Sequence, residues 1–263
     1  DSSVTGVQTC ALPISWQRPS RLQRVAVEAA DLVLCVSRYT RACVLGWASI
    51  APERAVVLPN TVDDSFVPGA TGLRADWGLE GKKVLLTVGR LNAGERYKGQ
   101  DRVMRCIPGL VANGRDVVYV VAGQGDDTAR LQALAEELRI ADRVRFVGSL
   151  EREKLLDVYR MADLFVMPST GEGFGIAFLE AMASGTPALG LDVAGARDAL
   201  ADGALGIAVS EDELPRAIGN CLAAPKPDPA VLSAAVHVRF GRTAFAALVK
   251  NIFTHRLLPS EIV

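Results

Sequence analysis

The chain contains 263 residues, 49% of them hydrophobic and 22% charged, which is typical of a globular protein with one large or two ordinary domains. Its formal net charge of −1 gives no electrostatic reason to expect nucleic acid as a partner. No apolar run approaches the roughly 18 residues that a membrane-spanning helix requires.

Residues 4–14 have no regular period and lack the positively charged start of a signal peptide. They read VTGVQTCALPI, which matches the translation of a common sequencing-library adapter. We therefore expect residues 1–14 to be an artefactual leader, and the natural sequence to begin near Ser15 inside a longer gene. The alternative is an ordinary disordered tail.

Between residues 15 and 68, the pattern predicts two short units, each with a helix followed by a strand. Ser37 is well placed to cap the second helix, because a serine side chain can accept a hydrogen bond from an unpaired N–H. The predicted helices are 18–30 and 38–47, the predicted strands are 31–36 and 55–58, and a turn at 59–63 follows.

From residue 82 onward strands and helices alternate, which predicts an α/β fold with a doubly wound, Rossmann-like parallel sheet. Near-continuous apolar strands indicate that helices cover both faces, and ligands of such sheets bind at the carboxyl ends of the strands. The predicted strands are 84–88, 117–122, 144–147, 164–167, 188–191 and 206–209. The predicted helices are 100–111, 128–138, 151–161, 175–184 and 211–223.

Two further elements close the chain. Residues 224–229 read APKPDP and predict a stiff connector, since proline restricts the backbone. The last predicted helix is 242–256, and its apolar side holds Phe245, Leu248, Val249, Ile252 and Phe253.

The stretch 167–187 combines a strand end, a flexible polar loop at 169–173 and a helix that ends before Gly185. The first N–H groups of a helix have no partner inside the helix and attract anions. Glu172 lies in the loop and Glu180 lies about two turns into the helix. Carboxylates beside an anion site fit a ligand with hydroxyl groups next to phosphates, and a sugar nucleotide is such a ligand.

The residues EGFGIAFLE, followed by AMASGTP, resemble the E-x7-E signature of retaining GT-B glycosyltransferases of the group 1, family-four type. The resemblance implies that Glu172 contacts the donor sugar and Glu180 holds the ribose hydroxyls. It also implies that the amides of Gly175, Ile176 and Ala177 face the sugar and phosphate. The alternative is that Glu172 is a carboxylate favoured by the helix dipole and Glu180 a solvated surface residue.

Arg90 follows a predicted strand in the sequence GRL, and Lys98 precedes the next helix in the sequence KG. This pattern also resembles the family, in which the two cations bind the donor diphosphate. The resemblance implies that Arg90 and Lys98 serve catalysis together with Glu172, by neutralising charge on the departing diphosphate. The alternative is two solvated loop cations.

Gly123 and Gly125 form a G-x-G turn after a strand, but Thr128 occupies the place of the third glycine that a dinucleotide site needs. The family resemblance places this turn near the nucleotide; the alternative is a tight strand-to-helix turn. Val147 lies in an F-x-G sequence whose backbone approaches the base in the family. Asp198 is one methylene shorter than the glutamate often found after this strand, so it receives no role.

The resemblance further implies a domain organisation. Residues 15–68 would be a remnant of an N-terminal acceptor domain with its linker, and residues 69–224 the C-terminal donor-nucleotide domain of a GT-B fold. Residues 225–263 would be helices that cross back toward the N-terminal domain. A chain without most of the acceptor domain is expected to bind nucleotide but to transfer sugar weakly or not at all.

The implied activity is that of a hexosyltransferase, which transfers a sugar with retention from a UDP-, GDP- or ADP-linked donor, without cofactor or metal. The acceptor, a glycan, lipid or small molecule, stays open, and cell-envelope polysaccharide synthesis is the expected setting. Two rivals also stay open: a non-catalytic nucleotide-sugar-binding protein, and a sugar-nucleotide epimerase or hydrolase of the same fold. An oxidoreductase would need the complete dinucleotide motif.

Five scattered cysteines form no CxxC pair and stand largely among apolar neighbours, at positions Cys10, Cys35, Cys43, Cys106 and Cys221. That pattern indicates free thiols in a reducing compartment rather than a disulfide framework. We therefore expect a cytoplasmic protein, with peripheral contact at the inner face of the membrane through the missing domain.

Overall fold

The structure is a computed structural model that describes the backbone of residues 19–256 and the side chains of residues 19–254. The leader-like residues 1–14 and Cys10 lie outside the described residues. Numbered in chain order, the strands are β1 Val33–Cys35, β2 Ala55–Val57, β3 Lys83–Val88, β4 Val117–Ala122, β5 Val144–Gly148, β6 Leu164–Met167, β7 Ala188–Leu191 and β8 Ile207–Val209.

Strands β3 to β8 form one parallel sheet in the order β5-β4-β3-β6-β7-β8. The chain builds outward from β3 to β5, then returns to the other side of β3 and builds outward again to β8. The reversal lies between β3 and β6, where open α/β sheets bind ligands. The predicted α/β doubly wound sheet is confirmed, and each of its six strands agrees with the prediction to within one residue at either end.

Helices cover both faces of this sheet. The helices are α1 Arg21–Ala29, α2 Arg38–Trp47, α3 Leu73–Asp76, α4 Gln100–Ala112, α5 Thr128–Glu137, α6 Arg152–Met161, α7 Ile176–Ala183, α8 Ala196–Ala199, α9 Leu214–Ala223, α10 Pro229–Phe240 and α11 Arg242–Arg256. One core lies between the sheet and α4, α5 and α9, and the other between the sheet and α6, α7 and α10. Successive strand side chains enter opposite cores, which explains why the strands lack polar alternation.

The predicted connector 224–229 ends in a helix that the sequence reading missed. Pro229 is the first residue of α10, and the Asp228 carboxylate caps the helix by accepting from the next backbone amides. Leu232, Val236 and Phe240 are buried one turn apart. Val231 and Val238 are exposed, however, and these apolar residues on the outer face conceal the helical period.

Two other features differ from the predictions, and β1 begins at Val33 rather than at residue 31. Helix α9 begins at Leu214 rather than at residue 211, because Ser210 donates its hydroxyl proton to Glu213 and forms a turn there. In α11, Ile252 is buried, whereas Leu248 and Phe253 are exposed. The five apolar side chains predicted for one side of α11 are therefore not equally covered.

Strands β1 and β2 pair in parallel as a separate two-stranded sheet. With α2 they enclose a small core of Cys35, Val44, Ala48 and Ala55. The turn after β2 binds the end of α10, because the N–H of Val62 and the hydroxyl of Thr61 both donate to the Phe240 carbonyl. Thr61 thus fastens this turn to the end of α10.

The four cysteines of the described part, at positions 35, 43, 106 and 221, are free thiols. Within residues 19–256, no helix combines the length and apolarity needed to cross a bilayer.

Candidate functional site

The predicted site residues converge on the carboxyl edge of the sheet, around the reversal between β3 and β6. Arg90 follows β3, Gly123 follows β4, and the Glu172 loop follows β6. Gly89, at the end of β3, donates its N–H to Ala122 and has the Lys98 ammonium beside it. Three loops that are distant in sequence therefore meet at one place.

Arg90 and Lys98 share one carboxylate, that of Glu95. Arg90 Nη2 lies 2.5 Å from Glu95 Oε1, and Lys98 Nζ lies 2.6 Å from Glu95 Oε2. Only 5% of the Glu95 side chain and 11% of the Lys98 side chain are exposed, against 68% for Arg90. The alternative of two solvated loop cations is wrong for Lys98, and Glu95 is a site residue that sequence reasoning missed.

The segment Ala93–Lys98 forms 3₁₀ turns that two aspartates of the next loop hold in place. Asp126 accepts from the N–H of Ala93 at 2.7 Å, and Asp127 pairs with Arg96 at 2.8 Å. Asp127 also binds Arg130, whose hydrogen bonds keep the pKa of the buried Asp127 carboxyl low. The acidic pair after the G-x-G turn therefore orients the segment that carries Glu95 and Lys98.

The G-x-G turn packs tightly against the loop after β3. A Cβ on Gly123 would lie 1.9 Å from the Gly89 carbonyl oxygen, and Gly123 has a φ of +140°. A Cβ on Gly125 would lie 2.3 Å from the carbonyl oxygen of Leu91. These contacts account for both glycines by packing alone, so nucleotide contact by Gly123 and Gly125 stays a prediction.

Val147 is half-buried in β5, the edge strand of the sheet. The Gly148 carbonyl beside it accepts from the N–H of Gly123 at 2.8 Å. This contact brings the F-x-G sequence next to the G-x-G turn, at the same edge as the cations. Base contact by Val147 stays a prediction.

The loop that carries Glu172 is tethered by hydrogen bonds on three sides. Thr170 donates its N–H to the Tyr97 carbonyl at 2.9 Å, and Gly195 donates to the Glu172 carbonyl at 2.9 Å. Ser37 donates its hydroxyl proton to the Gly173 carbonyl at 2.7 Å. The third tether comes from the first turn of α2, far away in sequence, where Ser37 also caps the helix as predicted.

The carboxyl of Glu172 is half-buried, and burial raises its pKa above the usual value. The positive charge of Lys98 and an N–H of Gly173 act in the opposite direction, whereas the negative charge of Glu95 adds to the rise. Glu172, Glu95 and Lys98 are thus close enough to influence one another. The alternative of a carboxylate favoured by the helix dipole stays open for Glu172.

Helix α7 begins directly after the loop. Gly175 has a φ of +98°, and a Cβ there would lie 2.5 Å from the ring of Phe178. Glycine therefore allows the sharp turn into the helix. Ile176 is exposed and Ala177 is half-buried, and the first amides of a helix have no partner inside the helix.

Glu180 is half-buried and receives a 2.7 Å hydrogen bond from the hydroxyl of Tyr159. Burial raises the pKa of Glu180, and the bond from Tyr159 offsets part of that rise. The solvated-residue alternative is wrong here as well.

Asp198, which the sequence analysis left without a role, binds the N-terminal part of the chain. Its Oδ1 accepts from Arg38 Nε at 2.9 Å, and Arg38 Nη2 lies 2.6 Å from Asp202. Together with the Ser37 tether, these contacts hold the start of α2 against the loops after β6 and β7. A cleft of about 400 Å³ adjoins the same loops and is lined by Thr170, Leu191, Asp192, Val193, Ser210 and Glu211.

Sequence comparisons agree with this picture. Residues 71–226 match the family model described as glycosyl transferases group 1. The chain is 33% identical over 220 residues to a GDP-mannose-dependent alpha-(1-6)-phosphatidylinositol monomannoside mannosyltransferase of Mycolicibacterium smegmatis, covering 78% of this chain and 56% of that protein. It is 37% identical over 199 residues to a D-inositol 3-phosphate glycosyltransferase of Geodermatophilus obscurus, covering 71% of this chain and 43% of that protein. The chain thus spans about half the length of these curated relatives.

Solved structures show the same fold. The sucrose-phosphate synthase of Thermosynechococcus elongatus is 26% identical to this chain, and the two superpose with a TM-score of 0.74. The superposition covers 89% of this chain and 60% of the synthase. The Anabaena protein HepE, solved with UDP-glucose, is 20% identical to this chain and superposes with a TM-score of 0.77. The superposition covers 89% of this chain and 66% of HepE. Both have the architecture described above.

Proposed function

The chain belongs to the glycosyl transferases group 1 family, and we propose that it forms the donor site of an enzyme that transfers a sugar from a nucleotide sugar to an acceptor hydroxyl. One observation carries the proposal: a cation pair, a half-buried loop carboxylate and a helix N-terminus without a side-chain cap meet at the reversal point of the sheet. The HepE structures with UDP and UDP-glucose support a nucleotide sugar as the ligand.

In this proposal Arg90 and Lys98 bind the diphosphate, together with the amides of Ile176 and Ala177 at the start of α7. Charge-assisted contacts of this kind contribute about 1.5–3 kcal/mol each. They are most useful in the transition state, because negative charge grows on the diphosphate as its bond to the sugar breaks.

Glu180 is proposed to accept hydrogen bonds from the ribose hydroxyls, and Glu172 from the hydroxyls of the transferred sugar. Retention of configuration is proposed through attack on the same face that the diphosphate leaves. The acceptor oxygen bonds to the anomeric carbon, the bond from that carbon to the diphosphate oxygen breaks, and the acceptor proton passes to the diphosphate. No cofactor or metal is needed in this scheme, and Gly123, Gly125 and Val147 lie on the side of the base.

The acceptor is proposed from the relatives alone. Two of them act, by their names, on phosphatidylinositol mannoside or inositol phosphate, so a polyol headgroup, free or on a lipid, is the acceptor class to test first. A lipid acceptor would bring the enzyme to the inner face of the membrane, as a cytoplasmic protein in peripheral contact. UDP, GDP and ADP remain equal candidates for the donor nucleotide.

The proposal is tested by titrating UDP, GDP and ADP into the chain in a calorimeter. We expect one nucleotide to bind with a dissociation constant in the micromolar range, which corresponds to about −8 kcal/mol. Glu180→Ala should weaken that affinity by about 1.5–3 kcal/mol, the contribution of a hydrogen bond to a charged group.

Glu137→Ala serves as the matched control, since Glu137 is an exposed helical glutamate of α5 and lies outside the site. This variant should bind the nucleotide as the wild type does. A folded chain that binds none of the three nucleotides would contradict the proposal. Product formed from the donor alone, without acceptor, would favour an epimerase or hydrolase instead.

A further inference from the structure

Glu95 is the charge on which the cation pair depends. Its two carboxylate oxygens face different partners, with Oε1 toward Arg90 and Oε2 toward Lys98. The carboxylate is almost completely buried, in a segment that Asp126 and Asp127 hold in place. Its position is therefore set by the fold and does not depend on a ligand.

The two cations differ in their freedom to move. Lys98 is buried, and its ammonium passes within 3.5 Å of the place that a Cβ on Gly89 would occupy. The lysine side chain therefore runs directly alongside the end of β3. Arg90 exposes 68% of its side chain and pairs with Glu95. An incoming anion can therefore draw Arg90 outward, whereas the buried Lys98 side chain has little space for such a movement.

A buried ammonium needs a negative partner, because an unpaired charge inside a protein is strongly unfavourable. Glu95 supplies that partner and fixes the direction of the Lys98 N–H bonds. The three groups together carry one net positive charge, which is available to an incoming anion. A site arranged in this way before binding loses less entropy when the ligand arrives.

We propose that Glu95 is a positioning residue for the donor diphosphate, which holds Lys98 in place and keeps Arg90 beside it until the diphosphate binds. This inference rests on the proposed function, because the ligand is the diphosphate of that donor. Glu95 acts through the two cations and does not itself contact the sugar.

The test measures what the second phosphate adds to binding. Calorimetry with inorganic pyrophosphate, and with the mono- and diphosphate of the preferred nucleoside, is carried out on the wild type and on Glu95→Gln, which keeps the shape and removes the charge. We expect pyrophosphate to bind about 10-fold more weakly to the variant. The preference for diphosphate over monophosphate should shrink by the same factor, whereas monophosphate affinity should change little.

Asp163→Asn is the matched control. Asp163 also pairs with one arginine and one lysine, Arg74 at 2.6 Å and Lys83 at 3.9 Å, but it precedes β6 at the opposite edge of the sheet. The Asp163→Asn variant controls for the loss of a partly buried carboxylate and should keep the wild-type preference for diphosphate over monophosphate. Glu95→Asp, which keeps the charge but retracts it by one methylene, should fold like the wild type and show an intermediate loss.

The outcomes separate the two proposals. Unchanged or tighter pyrophosphate binding in Glu95→Gln would overturn the positioning role, and the tighter result would make Glu95 a competitor of the ligand. A wild type that binds neither pyrophosphate nor any nucleotide would overturn it as well. Pyrophosphate binding that depends on Glu95, without binding of any nucleotide, would leave the positioning role standing and refute the proposed donor site.

Discussion

The hydroxyl of Tyr159 donates a 2.7 Å hydrogen bond to Oε2 of Glu180 from inside the core. The Tyr159 ring is fully buried and has the rings of Phe66 and Phe165 as neighbours, with centroids 5.9 Å away in both cases. Its oxygen is therefore held in one place. Tyr159 on α6 thus orients the Glu180 carboxylate from the core side, and the other lone pairs of the carboxylate are left for a ligand.

Tyr159→Phe removes this hydrogen bond and keeps the ring. Because the bond lowers the pKa of Glu180, that pKa should rise further in the variant. The free energy of unfolding should fall by about 1.5–3 kcal/mol, as for other hydrogen bonds to charged groups. Nucleotide affinity should fall several-fold if Glu180 holds the ribose. Denaturant unfolding and calorimetry at several pH values measure both effects.

Tyr119→Phe provides the comparison. Tyr119 is equally buried and donates a 2.7 Å hydrogen bond to the hydroxyl of Thr87, a neutral partner within the sheet. Its loss should cost about 0.5–1.5 kcal/mol of stability and leave nucleotide affinity unchanged. Equal losses of affinity in the two variants would contradict an orienting role for Tyr159.

Glu172 should make the protein less stable as the pH rises. Burial raises its folded-state pKa above the usual 4.5, so between these two values the folded state binds more protons than the unfolded state. The free energy of unfolding therefore decreases as the pH increases through this window, and the penalty is complete above the folded pKa. Glu172→Gln should remove this part of the pH dependence. Urea unfolding between pH 4 and 8 measures the difference in slope.

Glu213 affects the pH dependence of stability in the opposite direction. The hydrogen bonds from Ser210 hold the pKa of Glu213 below its usual value, so its contribution to stability is present above the unfolded pKa and is lost as the pH falls through the folded one. Glu213→Gln should therefore remove a rise of stability with pH that lies below the usual pKa of 4.5, whereas Glu172→Gln changes the slope above that value. Urea unfolding extended below pH 4 separates the two effects. Identical profiles for the two variants would show that burial does not govern the titration of Glu172.

The sequence was sufficient to predict the sheet and the glycine-rich loops, because apolar runs and glycines depend on local chemistry. It was not sufficient to find Glu95. A glutamate in the polar segment AGERYK reads as a solvated loop residue. Its neighbours Ala93 and Arg96 bind Asp126 and Asp127, about thirty residues later, and the sequence does not reveal these contacts. The same limit applies to Ser37, whose cap was predictable but whose bond to Gly173 spans 136 residues.

Ser37→Ala should loosen the Glu172 loop. The substitution removes both the cap of α2 and the tether to the Gly173 carbonyl. The cap alone is worth about 0.5–2 kcal/mol, and the buried carbonyl left without a donor adds about 1–3 kcal/mol. Hydrogen exchange at the amides after Gly173 should become faster. Urea unfolding and exchange mass spectrometry measure the two effects.

Ser20→Ala isolates the cap. Ser20 forms the same kind of capping box at the start of α1, with Gln23, but it is exposed and its side chain binds only its own helix. The variant should lose about 1 kcal/mol or less and leave exchange in the loop unchanged. If both serine variants lose the same stability and neither alters the loop, the contact between α2 and the loop does not order the site.

Gly125→Ala should be strongly destabilising, because its Cβ would meet the backbone of Leu91 at 2.3 Å, and backbone cannot yield as a side-chain end can. We expect a loss of about 1–3 kcal/mol or more. Nucleotide affinity should fall too, since the displaced turn carries the aspartates that hold the Glu95 segment.

Gly109→Ala in α4 is the contrast: nothing lies within 4 Å of its Cβ position, and alanine should raise stability by about 0.4–1 kcal/mol. Thermal unfolding of the two variants decides this, and a tolerated alanine at position 125 would show that the G-x-G turn is not held by its contact with the β3 loop.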